Sequence, residues 1–124
     1  MLIDAHCHLT GTYLPESEVT PTLVRAQAQG VTGFIAVGTS LEDSHAVLDL
    51  THTGPNIQAS LGIHPHEAKT WDSDTSSKLE SMLRDPSVRF VGETGLDYHY
   101  DLSPRDQQEE VFRQQIRLAK KIHK

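Results

Sequence analysis

The feature that most constrains the fold is a fourfold alternation of short, mostly apolar runs with helix-patterned stretches. Residues 2–7, 33–37, 57–61 and 88–91 have the length and composition of buried strands. Helix signals follow each of them. Thr20-Pro21 predicts an N-cap with proline at the first helical position; Leu23, Val24 and Ala26 begin that helix and Gly30 ends it. Ser40 predicts the cap of a second helix carrying Ala46, Val47 and Leu50, which stops near Gly54-Pro55. Residues 73–84 predict a third helix with Leu79, Met82 and Leu83 on one side. Ser103-Pro104 predicts the cap of a long last helix carrying Phe112, Ile116 and Ala119.

Four βα units in a row predict an α/β domain over residues 1–124, with parallel strands and right-handed crossovers. Two architectures fit: a small doubly wound sheet, or the first half of a (β/α)8 barrel. Both display chemistry at the C-terminal ends of strands. The last helix ends in Leu118-Ala119-Lys120-Lys121-Ile122-His123-Lys124, where a fifth strand would be expected to begin.

The strand ends carry the candidate chemistry. His6-Cys7-His8 closes the first run, which begins at Met1. Residues two apart in a strand share a face, so His6 and His8 aim two imidazoles at one point and Cys7 faces away, packed under a helix. Two neutral imidazoles are half of a divalent metal site. Eight histidines in 124 residues give roughly half a His-x-His pair by chance, so position in the fold carries this inference. Asp4 lies on the same face, placed to fix a ring tautomer. Gly62-Ile63-His64-Pro65-His66 closes the third strand; Pro65 restricts His64 to extended geometry and points it at the same pocket, while His66 packs the loop. Glu93, between Gly92 and Gly95, ends the fourth strand and can bridge two cations. Asp97 braces the loop that follows and Asp101 precedes the last helix. Tyr98, His99 and Tyr100 form either an aromatic wall for a base or sugar, or loop packing. No Gly-x-Ser-x-Gly elbow and no phosphate-cradling Gly-x-x-x-x-Gly-Lys loop occurs.

A net charge of -6 argues against a basic grip on nucleic acid, but bound cations would supply their own charge. One cysteine excludes an internal disulfide and predicts a reducing, cytoplasmic compartment. No segment approaches the roughly 18 apolar residues of a membrane span.

These segments together resemble the TatD family of metal-dependent deoxyribonucleases. The resemblance rests on Ile3-Asp4-Ala5-His6-Cys7-His8-Leu9, Gly62-Ile63-His64-Pro65-His66, Gly92-Glu93-Thr94-Gly95-Leu96-Asp97-Tyr98, and Ser103-Pro104-Arg105 with Gln108, Val111 and Phe112, all in family order. Thr94 departs from the aliphatic residue frequent there. The resemblance implies a TIM barrel and two divalent ions (Mg2+, Mn2+ or Zn2+), with His6, His8 and Glu93 as metal ligands and His64 in the substrate pocket. It implies 3'-5' exonucleolytic hydrolysis of DNA phosphodiesters by metal-activated water. Two further family histidines and the catalytic aspartate fall beyond Lys124, so this sequence itself supplies no catalytic aspartate. A whole barrel of this kind needs about 250 residues. The chain is therefore expected to be an N-terminal half-barrel that self-associates or lacks its C-terminal half. Two alternatives stand beside the nuclease: an inactive half-barrel or assembly module, and an amidohydrolase acting on a C–N bond.

Overall fold

The computed structural model describes residues 2–11, 13–54 and 56–124. Met1 of the first apolar run and Pro55 at the end of the second helix lie outside them. The strands are β1 (Leu2–Cys7), β2 (Val31–Val37), β3 (Ile57–Leu61) and β4 (Val88–Val91). The helices are α1 (Glu16–Ala28), α2 (Leu41–Thr51), α3 (Ser73–Leu83) and α4 (Arg105–Ile122), with a 3-10 turn at Pro65–Thr70.

All pairings are parallel and the spatial order is β1-β2-β3-β4. That order decides between the two architectures. A doubly wound sheet reverses direction at a switch point, whereas here every strand adds to the same side of its predecessor. Successive right-handed crossovers then put all helices on one face, as in a barrel. The fold is α/β: four successive βα units of TIM-barrel type, with β1 and β4 as the edges of the described sheet.

The helix-side core joins Phe34, Ala36, Ile57, Ala59, Leu61 and Val88 from the sheet to Val47, Leu79, Leu83, Val111 and Leu118 from the helices. Each Val, Leu, Ile or Phe among them, fully buried, contributes about 1.5–3 kcal/mol. On the other face Ile35, Val37 and Ser60 are also buried. In β4, Val88 pairs with Ala59 and Phe90 with Ser60, so Arg89 is an extra residue. This bulge turns Phe90 away from the core and leaves it 52% exposed.

Two helix starts differ from the sequence expectation. The first helix starts at Glu16, not after Thr20, and Pro21 lies inside it. Glu16 and Glu18 suit the positive end of the helix. Ser17, four residues before Pro21, is exposed, so water can take the place of the N–H that proline lacks. Gly30, at φ 90°, does end the segment. The second difference concerns Ser103, which does not cap α4; the N-cap position is Pro104 and makes no side-chain bond. The Ser103 hydroxyl instead donates to His66 O (2.7 Å) and accepts from Lys69 N (3.1 Å), pinning the 3-10 turn. Ser40 behaves as expected and accepts from Asp43 N.

The face that α4 buries differs from the apolar set read in the sequence. Gln108, Val111, Gln115 and Leu118 are buried, while Ile116 is exposed and Phe112 and Ala119 are half-buried. Both glutamines hold loop backbone. Gln115 accepts from Ile63 N (2.8 Å) and donates to Ile63 O (2.9 Å). Gln108 accepts from Asp97 N (2.8 Å) and donates to Asp97 O (3.2 Å) and Ser103 O (2.8 Å). Gln115→Leu keeps the volume but orphans a buried N–H and a buried C=O. We expect it to cost about 2–4 kcal/mol in chemical denaturation; a loss below about 0.5 kcal/mol would show that water replaces the amide.

Candidate metal centre

β1 delivers His6 and His8 to the C-terminal edge of the sheet. Their Nε2 atoms stand 3.2 Å apart with the rings edge to face. Glu93 N donates to Gly38 O (3.0 Å) and Gly92 N to Leu61 O (2.9 Å), so the end of β4 is tied to both β2 and β3. That anchoring sets Glu93 Oε2 at 3.6 Å from His6 Nε2 and 3.8 Å from His8 Nε2. The three donor atoms lie within 4.8 Å of one another, the one such cluster among the described residues. Donors bound at about 2.0–2.2 Å to one ion stand about 3–3.6 Å apart, so the triad fits a divalent cation with little adjustment.

Tautomers separate the roles of the histidines. His8 Nδ1 lies 3.0 Å from Val37 O, an acceptor only, so Nδ1 carries the proton and the Nε2 lone pair faces the centre. His64 is the reverse. Its Nδ1 accepts from His66 N (3.1 Å), so in the neutral ring Nε2 carries the proton and points to Glu93 Oε1 at 3.9 Å. Burial pushes the His64 imidazole below its ordinary value, against the opposing pull of Glu93, which favours that neutral form. His64 thus offers a donor N–H at the rim of the centre, and His8 an unprotonated Nε2.

Asp4 does not act as expected. Its carboxylate accepts the main-chain N–H of His6 (3.2 Å) and does not fix either ring; the tautomer of His8 is set by backbone. Cys7 donates to Ile35 O (3.3 Å), and its thiol is pushed up to about 12, first by burial and then by Asp4, so no nucleophile is present there.

Residues without a sequence signal support the triad. Asp43, in the first turn of α2, is buried and takes three hydrogen bonds. They come from Thr39 N (2.9 Å), the Thr39 hydroxyl (3.0 Å) and the Thr10 hydroxyl. Thr39 O in turn receives His64 N at 2.7 Å. One carboxylate therefore ties the loops after β1 and β2 together and, through Thr39, positions His64. Tyr13 lies against His8 with centroids 4.5 Å apart, and its hydroxyl meets Thr39 Oγ1 at 3.1 Å.

His66 packs the loop as expected: its Nε2 lies 2.5 Å from Asp97 Oδ2, and its ring meets His64 edge to face. Asp97 is a brace, accepting from His99 N (2.9 Å) and Tyr100 N (3.1 Å) as well. Asp101 pairs with Arg105 at 2.7 Å. Neither acid joins the triad. The Asp97 carboxyl is lowered from 3.8 to about 2, first by the Tyr100 N–H and then by His66. Since the folded value is the lower one, the brace is complete above 3.8 and is lost as pH falls from 3.8 towards 2. A carboxyl-carbon NMR titration should place the midpoint near the lower value; a midpoint at 3.8 would mean that the loop hydrogen bonds do not form in solution.

Among the described residues, no helix is long and apolar enough to cross a membrane. The family model described as TatD related DNase matches residues 3–124. The chain is 36% identical over 124 residues to the "3'-5' ssDNA/RNA exonuclease TatD" of Edwardsiella piscicida, covering 99% of this chain and 47% of that protein. It is 32% identical over 123 residues to the "Uncharacterized metal-dependent hydrolase YabD" of Bacillus subtilis (strain 168), covering 99% and 48%. The solved structure of YJJV, a TatD homolog from Escherichia coli K12, superposes with a TM-score of 0.89 at 31% identity, covering 98% of this chain and 48% of that one. The chain thus spans about half the length of the curated relatives it matches. The motifs at the ends of β1, β3 and β4 and the order of the strands carry the same conclusion as these matches: the chain belongs to the TatD related DNase family.

Proposed function

We propose that this chain is the N-terminal half of a TatD-type hydrolase that cleaves phosphodiesters of single-stranded nucleic acid from the 3' end. The observation that carries the reading is the convergence of His6 Nε2, His8 Nε2 and a Glu93 carboxylate oxygen, with 3.2–3.8 Å between the imidazoles and from each to Glu93. His6 and His8 offer lone pairs, and Glu93 offers charge and a second oxygen able to reach a second ion. A divalent cation held there would polarise a phosphodiester and make water a better nucleophile at neutral pH. His64 Nε2–H donates to a phosphate oxygen at the rim. The exonuclease names of the relatives support the substrate class, and the reading takes Mg2+, Mn2+ or Zn2+ as the ion and two ions as the complement. The remaining ligands and the catalytic aspartate belong to a second half, which joins at the edges of β1 and β4. The single cysteine suits a reducing, cytoplasmic setting. The test is release of mononucleotides from end-labelled single-stranded DNA by a complete barrel carrying residues 1–124. Metal-dependent release that falls at least about 100-fold in Glu93→Ala supports the reading, and full activity in that variant refutes it.

A further inference from the structure

We propose that the loop between β4 and α4 is a stacking platform for the unpaired bases of single-stranded nucleic acid, with Tyr98 and Tyr100 as its rings. The inference rests on the nucleic-acid reading above, but its test does not use the metal. Large apolar side chains stand at alternate positions of this loop, and all face solvent: Leu96 is 46% exposed, Tyr98 40%, Tyr100 65% and Leu102 53%. The backbone that presents them is held in place. Asp97 collects the N–H groups of His99 and Tyr100, and the buried amide of Gln108 grips Asp97 N and Ser103 O.

The rings are preorganised as well as exposed. The Arg105 guanidinium sits 4.6 Å over one face of Tyr98, and the Tyr98 hydroxyl donates to Glu109 (3.2 Å). Tyr100 packs T-shaped against His66 and His99, at 5.7 and 4.7 Å between centroids. Rings fixed in this way lose little freedom when a base stacks on them.

The Tyr98 side of the platform opens onto the metal centre. A cleft of about 420 Å³ runs between them, lined by His64, Glu93, Thr94, Leu96, Tyr98 and His99. The Thr94 hydroxyl oxygen is buried there with no hydrogen-bond partner among the described residues. His64 and Glu93 therefore wall both sites, and a strand whose terminal phosphate lies at Glu93 would lay its neighbouring bases along the loop. Charge points to the same occupant contact. The chain carries -6, and Arg105 is engaged by Asp101 at 2.7 Å, so the bases rather than the phosphates offer the favourable surface.

The test is fluorescence anisotropy of labelled decathymidylate with the 124-residue chain, in EDTA at physiological salt, against a length-matched abasic strand and a duplex competitor. We expect decathymidylate to bind at least about fivefold more tightly than the abasic strand, and the duplex to compete poorly because its bases are already stacked. Tyr98→Ala and Tyr100→Ala should each weaken binding at least about fivefold, whereas Tyr100→Phe should stay within about twofold. Equal affinity for the abasic strand, equal competition by duplex, or binding to neither strand would overturn the platform, as would unchanged affinity in alanine variants with native circular dichroism. The comparison of strands on the unsubstituted chain decides the matter even if a variant fails to fold. Since EDTA removes the cation, failure of the metal reading leaves this result standing.

Discussion

Glu93→Gln should lower the affinity of the chain for Mn2+ or Zn2+ by at least about 100-fold while leaving its melting temperature nearly unchanged. The substitution keeps the size of the side chain and removes its charge. Glu93 sits at the end of β4 with its carboxylate oxygens 3.6 to 3.9 Å from three imidazoles. Those contacts are too long for strong hydrogen bonds, so little native stability rests on them. With an ion present, the carboxylate is the one anionic donor of the triad and offsets the charge that two neutral imidazoles cannot. Calorimetric titration of the two proteins checks this. Equal affinities would remove Glu93 from the ligand set.

Gly62→Ala should destabilise the fold by about 2–3 kcal/mol, or roughly 10 °C in melting temperature for a domain of this size. It should weaken metal binding too. A Cβ on Gly62 would lie 2.8 Å from Gln115 Oε1, 2.8 Å from Gly92 C and 2.9 Å from Glu93 O. Two of these atoms are backbone of the segment that carries Glu93, and the third is the amide that holds Ile63. Relief requires the end of β4 to move away from β3, which carries Glu93 away from the histidines. Differential scanning calorimetry and a metal titration on the same variant measure both effects. A variant with native stability and native affinity would show that the β3–β4 junction is looser than these distances imply. Gly54→Ala is a useful contrast, because its Cβ would meet only the flexible Ile57 side chain, at 3.2 Å.

The strands were legible because their signals are local. Leu2–Cys7, Ile57–Leu61 and Val88–Val91 have the bounds that the apolar runs suggest, and β2 extends the run at 33–37 by two residues to Val31. The start of α1 was not, since a proline at the first helical position and a proline tolerated on an exposed helix face look alike in sequence. His6, His8, His64 and Glu93 could be brought together from strand-end position alone. What could not be read was the structure that holds them. Asp43 looks like an ordinary first-turn acid, and its partner Thr10 lies 33 positions away. Gln108 and Gln115 look like surface residues on a helix full of charge. Their spacing from Val111 and Leu118 does put them on the buried stripe, which is the signal that a search for apolar residues alone passes over. Asp4 shows the converse: a correct face did not fix its partner, because the main-chain N–H of His6 is nearer than any ring.

Paramagnetic broadening by Mn2+ locates a centre formed by His6, His8 and Glu93 directly. The eight histidines are natural reporters distributed over the molecule. His45 and His52, paired with Asp49 and Asp85, are remote acid–histidine pairs that an unspecific cation would also visit. Substoichiometric Mn2+ is expected to broaden the ring resonances of His6 and His8 first and His64 next, to spare His45, His52 and His123, and to lose this selectivity in Glu93→Gln. Uniform broadening of all eight rings, or broadening strongest at His45 or His52, would contradict the assignment of the metal centre.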